Sequence, residues 1–206
     1  MSHALIVVVS WSAVVVGTWA VVAQYRRVSD QGVEGVSLAT WLLFSLIGGF
    51  WISYGAFSAH SMAVIWGSLL CWPFQLAIVF RLAPLRHRRG SLQALGVFVV
   101  CCLAPALAGG WSASVYGTGV AMTLVRWPQF VQLIRVRDAS GVSSASWFIG
   151  VGCSTLWVIY YGEIHLWAPL IATTCSGLAS AVVGGLAVWR HRQANEELIR
   201  QAVFTS

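Results

Sequence analysis

The chain has 206 residues, a net charge of +6 and a mean hydropathy of +0.78; 58% of its residues are hydrophobic and 9% are charged. A soluble domain carries roughly 25% charged residues, so too little charge is present to coat a water-facing surface, and no stretch is left for a separate soluble domain. The positive balance could suggest a nucleic-acid partner, but the arginines sit in short clusters between apolar runs, the pattern of membrane topology signals, so none is expected.

Met1 to Tyr25 is uncharged and supplies a first span of about 4–24. It lacks a basic leader, and Arg26 and Arg27 follow it, so it reads as a retained helix with the N-terminus outside. Gly35 to Phe80 carries no charged residue. As one helix it would run about 69 Å at ~1.5 Å per residue, more than twice a ~30 Å bilayer core. It is therefore two spans, about 37–57 and 61–80, turning at Ser58-Ala59-His60-Ser61, its most polar point. Ser91 to Ile134 holds one charge, Arg126, and splits in the same way near Gly109-Gly110-Trp111-Ser112 into spans of about 91–109 and 112–134. Ala139 to Trp189 splits near Glu163-Ile164-His165 into spans of about 144–162 and 166–189.

Seven spans put Arg26, Arg27, Arg81, Arg86, Arg88, Arg89, Arg135, Arg137, Arg190, Arg192 and Arg200 on one side, eleven of the twelve basic residues, all of which are Arg. Six spans would move a basic cluster outside, so the positive-inside rule favours seven, with a cytoplasmic C-terminus. The expected fold is an all-α, multi-pass membrane protein, placed in the plasma membrane because no organelle signal is visible.

The first inner loop leads into Gly35-Val36-Ser37-Leu38-Ala39-Thr40-Trp41, and the third into Gly141-Val142-Ser143-Ser144-Ala145-Ser146-Trp147. Ten residues past each tryptophan stand Trp51 with Tyr54-Gly55 and Trp157 with Tyr160-Tyr161-Gly162. Upstream, Trp19, Gln24, Arg27 and Asp30 answer Trp127, Gln132, Arg135 and Asp138. Several matches in register predict an internal repeat. The expected organisation is 1–85 as a first three-helix block, 86–110 as a linker helix, 111–190 as a second block and 191–206 as a cytoplasmic tail. One linker helix restores the starting side, so both blocks run the same way through the membrane.

Trp127-Pro128-Gln129-Phe130, followed by Arg135, Asp138, Ser140 and Gly141, resembles the Pro-Gln motif and basic loop of the PQ-loop family. The 3+1+3 layout and the two Trp-x-x-Tyr motifs resemble the SWEET sugar transporters over residues 4–190. The resemblance implies a facilitated (uniport) carrier of a small polar solute, most of all a sugar, working by alternating access between the two blocks. It implies Trp157 and its mate Trp51 as pocket residues that stack on a sugar ring, and Pro128 with Gln129 as a hinge. This chain keeps only Pro128 of the family's mid-helix prolines; the matched positions read Ala20, Thr40 and Ala145 or Ser146. The family's asparagine pair is missing; its nearest matches are Val64 or Trp66, and Thr173 or Thr174, of which Trp66, Thr173 and Thr174 are expected to bind the solute. Those departures leave amino acids or vitamins as alternative solutes.

Other readings compete at each site. Trp is enriched at membrane surfaces, so Trp51 and Trp157 also fit interfacial anchors. Thr173 and Thr174 fit bonds within their own helix. Arg126, about 12 Å inside its span by helix rise, either lines an inner vestibule or meets an anionic solute, as a substrate-binding residue, or snorkels to the surface. Proton- or sodium-coupled carriers need intramembrane carboxylates or His; this chain has none deep in a span. No Ser-His-Asp set, phosphate loop or metal-ligand spacing is visible, so neither an enzyme nor a cofactor or metal is expected. The five cysteines read as small apolar residues. Gly177, Ala181 and Gly185 form a small-residue face for contact inside the bundle or in a homo-oligomer. Arg86-His87-Arg88-Arg89 fits topology, or a protein or lipid partner of a receptor or sorting adaptor that transports nothing.

Overall fold

A computed structural model describes residues 2–85 and 88–204, and those residues hold helices and no strand. The α-helices are α1 (His3–Gln31), α2 (Leu38–Tyr54), α3 (Met62–Leu69), α4 (Trp72–Leu82), α5 (Arg88–Phe98), α6 (Ala104–Leu124), α7 (Trp127–Arg135), α8 (Ser144–Glu163) and α9 (Trp167–Phe204). Arg86 and His87, part of the basic cluster read from the sequence, lie outside the described residues.

Among the described residues, five helical stretches are long and apolar enough to cross a membrane: His3–Gln31, Leu38–Ala59, Met62–Leu82, Gly90–Arg135 and Pro169–Gln201. Their outward faces are apolar, with Val15, Phe57, Phe80, Leu107, Ile171 and Leu178 exposed. A soluble protein rarely shows apolar patches on that scale; lipid removes the penalty. The chain is built as an integral membrane protein. Helix α8 has 20 residues, about 30 Å by helix rise, yet falls outside the five stretches. Its Ser146, Ser154, Trp147, Trp157 and Tyr161 lower its apolarity, and those residues face the interior.

The turns fall where the polar points of the sequence lie. Gly109 and Gly110 leave helical geometry, Gly110 at φ 68°, and divide the long Gly90–Arg135 stretch. His60 and His165 adopt the left-handed conformation at φ 46° and 57°, each closing a helix. For a non-glycine residue that conformation is uncommon, and here it recurs after α2 and after α8. Two further breaks share one cause. Pro73 and Pro128 stand at the first turns of α4 and α7, just after the turns Leu70–Cys71 and Val125–Arg126. A proline has no N–H for the ladder and clashes with the preceding turn, so each helix restarts there.

Helix α9 runs through Phe204, past the residue-190 boundary where the sequence reading placed a separate tail. Good helix formers in Gln193-Ala194-Asn195-Glu196-Glu197-Leu198 continue it. Its arginine end is tied down: Arg190 donates to the carbonyls of Leu133 (2.8 Å) and Ile134 (2.6 Å). The small-residue face of α9 turns partly inward, since a Cβ on Gly177 would lie 3.0 Å from Ser154 of α8. The cysteines are free; Cys71 and Cys102 are buried, as expected of small apolar residues, while Cys175 faces outward.

Packing order repeats. The α3–α4 run touches both α1 and α2, as α9 touches both α6–α7 and α8. Helix α1 packs along α8, and α2 meets α6 and α7. Helix α5 lies against α2, and the π-helical turn Val99–Leu103 joins it to α6. At the end carrying Arg27, Arg135 and Arg190, here the basic end, two loops touch through the repeated glycines. Gly35 has φ 75°, and a Cβ there would meet the Ala139 Cα at 2.8 Å. A Cβ on Gly141 would meet the Gly32 carbonyl oxygen at 2.5 Å, and the Gly141 N–H donates to the Glu34 carbonyl at 3.1 Å. These neighbours are backbone and cannot swing aside. Gly141→Ala is expected to destabilise the protein by about 1–3 kcal/mol, read as a lower unfolding midpoint in detergent; an unchanged midpoint would mean the loops are not in contact.

Candidate functional site

Gln24 on α1 and Gln129 on α7 are each 1% exposed. The Gln24 amide donates to the Gly141 carbonyl (2.7 Å) and accepts from the Ser143 N–H (2.9 Å). The Gln129 amide donates to the Gly35 carbonyl (2.7 Å) and accepts from the Ser37 N–H (2.8 Å). Gln24 of α1 thus holds the loop that opens α8, and Gln129 of α7 holds the loop that opens α2. A primary amide has both a donor and an acceptor in one plane, so it satisfies two loop groups that packing hides from solvent. This pairing corrects the repeat register: Gln24 answers Gln129, not Gln132. The counterpart of Pro128 is then Ala23, and Ala20 answers Val125.

Above this clasp lies a central cavity of about 230 Å³. Its wall comes from α1, α2, α3–α4, α6, α8 and α9, and from none of the described side chains of α5. Its floor is aromatic. Trp41 and Phe44 have ring centroids 5.5 Å apart, and Phe44 and Trp147 are 6.4 Å apart. Trp41 and Trp147 continue into a core of Val28, Val36, Ile78, Leu133, Val142 and Val183, drawn from both blocks. The basic end is therefore shut twice, by this aromatic layer and by the glutamine clasp. No family model, curated protein or solved structure matches the chain. The reading of the site therefore rests on its own residues.

Trp157 and Trp51 both line the cavity. The Trp157 ring stacks on Tyr161, centroids 5.6 Å apart, and meets Tyr160 edge-on at 5.5 Å. Trp51 meets Phe50 and Tyr54 edge-on. Thr173 lines the cavity, but Thr174 does not; Thr174 is exposed and its hydroxyl donates to the Leu170 carbonyl of its own helix at 2.9 Å. Trp66, also expected as a pocket residue, is 41% exposed and outside the lining. Ala20 and Ser146 meet at the cavity wall, where the Ser146 hydroxyl donates to the Ala20 carbonyl at 2.6 Å. Thr40, the repeat mate of Ser146, is buried with its hydroxyl unbonded. Pro128 lies at the break between α6 and α7, with Gln129 engaged in the clasp.

Arg126 sits in the turn just before that proline, 7% exposed, and lines the cavity. Its Nε donates to the Ser180 hydroxyl at 2.6 Å and its Nη1 to the Met122 carbonyl at 2.6 Å. The guanidinium carbon lies 5.2 Å from the centre of the Phe44 ring. It turns inward and does not snorkel. Sequence reasoning passed over Gln75, Ser176 and Ser180. All three line the cavity, and the Gln75 Oε1 and Ser176 Oγ are buried without partners. Their signal in the sequence is faint: serine inside a membrane helix usually bonds its own backbone.

Proposed function

We propose that the chain is a multi-pass membrane transporter that carries a small polar solute down its gradient by alternating access. The observation that carries this reading is a cavity walled by both blocks and shut at one end by contacts between them. In this reading seven spans cross the membrane, α8 being the sixth, with two like-oriented three-helix halves joined by the α5 linker. The basic end faces the cytoplasm, following the positive-inside rule, so this conformation is closed to the inside. The repeated packing order supports the two-halves arrangement, and the resemblance to SWEET and PQ-loop proteins supports the transport class. Parallel-repeat carriers place their sites at the repeat interface near the midplane and rock one half against the other. Among the described residues no Asp or Glu lines the cavity, which favours uniport over proton or sodium coupling.

The test is uptake into liposomes holding the purified protein, with labelled sugars, amino acids, vitamins and small carboxylates and no ion gradient. At least one solute is expected to equilibrate faster than in protein-free vesicles. Trp157→Ala is expected to slow that uptake about tenfold, the equivalent of ~1.4 kcal/mol of ring contact. A panel in which nothing beats protein-free vesicles would refute transport.

A further inference from the structure

A buried guanidinium in a membrane protein needs compensation, because a charge away from water is costly unless paired. Arg126 has no anionic partner among the described residues: it donates to the neutral Ser180 Oγ and Met122 O and lies over the Phe44 ring. The rest of the cavity wall is neutral too, made of aromatic, small apolar, hydroxyl, amide and thiol side chains. Among the described residues the lining therefore carries a single positive charge. Ser176 lies one turn before Ser180 on α9, on the same face, and its hydroxyl has no partner. A guanidinium and an unpartnered hydroxyl lining one cavity are a donor set for a planar anion, which Arg binds in a fixed fork.

We propose that the solute carries a carboxylate, and that Arg126 with Ser176 receives it. This deepens the transport reading in substrate class, and it rests on that reading for what the site does, not for whether the site binds. The aromatic walls at Trp51, Trp157 and Tyr161 then hold the solute's apolar part. A monoanion neutralises the cavity, so the loaded carrier crosses its intermediate states without an exposed charge. Attraction between unit charges at close range is also stronger in a partly buried site than in bulk water.

Two measurements on the full chain test it. The first is the unfolding midpoint in detergent with acetate, L-lactate or succinate, each against its own amide. At least one carboxylate is expected to raise the midpoint where its amide does not. Arg126→Gln is expected to weaken that binding about ten- to a hundredfold, and Arg126→Lys to retain part of it. The second is L-lactate uptake into proteoliposomes under an imposed potential. A monoanion moving without a counter-ion should accumulate about fiftyfold per 100 mV, inside positive. Carboxylates that bind no better than their amides, or equally to Arg126→Gln, would overturn the proposal. Should Arg126→Gln fail to fold, the wild-type comparison of acid against amide decides alone. Binding without transport would leave the site standing and sink the transport reading. Transport of a neutral solute at undiminished rate by Arg126→Gln would do the reverse.

Discussion

Gln24→Leu is expected to loosen the basic end of the protein by about two orders of magnitude. Leucine fills the amide's volume but leaves the Gly141 carbonyl and the Ser143 N–H without partners. Each buried group so orphaned costs about 1–3 kcal/mol, and only in the closed form, because an opened loop finds water. A net ~3 kcal/mol shifts the closed-to-open ratio about a hundredfold. Gln129→Leu should do the same through the Gly35 carbonyl and the Ser37 N–H. The reporter is a cysteine at Val142, which is 1% exposed, placed in a chain whose five native cysteines are replaced. Its alkylation rate in liposomes should rise steeply in Gln24→Leu. A rate equal to that of the parent chain would show that something else holds this end shut.

Trp147→Ala is expected to cost about 3–5 kcal/mol, the range for removing a large buried aromatic side chain. Trp147 is 5% exposed and belongs both to the cavity floor and to the core beneath it. In lipid the loss is chiefly of packing contacts, since lipid tails are as apolar as the core. Trp147→Phe should behave differently. The indole N–H of Trp147 is buried without an acceptor, and an unmet buried donor costs about 1–3 kcal/mol. Phenylalanine removes that donor while keeping most of the ring, so the two changes offset each other to within about 1 kcal/mol. Unfolding midpoints in detergent, read by light scattering, should fall sharply for Ala and hardly for Phe. Equal falls for both would mean that the indole nitrogen has a partner after all.

The turns of this fold are legible in the sequence because lipid punishes backbone breaks. A break must sit at glycine, proline or a polar cluster, so Gly109-Gly110, His60 and His165 mark it openly. Helix phase is less legible. Thr173 lines the cavity and its neighbour Thr174 faces away, since adjacent residues point about 100° apart on a helix. The same ambiguity moved Trp66 out of the pocket. In a soluble helix a polar face would have fixed the phase; here both faces are apolar. The register of α1 was obscured by an accidental match, Trp19 and Gln24 against Trp127 and Gln132, at the same spacing. Only the bonds of Gln24 and Gln129 to each other's blocks set it right. The inward turn of Arg126 depends on Ser180, 54 residues away in sequence, a distance at which no local pattern speaks.

In the transport cycle proposed above, the two halves move about the cavity and open the end that is shut here. Spin labels at Leu38 and Ser144, the first residues of α2 and α8, report that motion in liposomes by their separation. A short and a long separation are expected, with the long one enriched in Gln24→Leu and the balance shifted by a transported solute. A single short separation that neither the substitution nor any solute alters would contradict it.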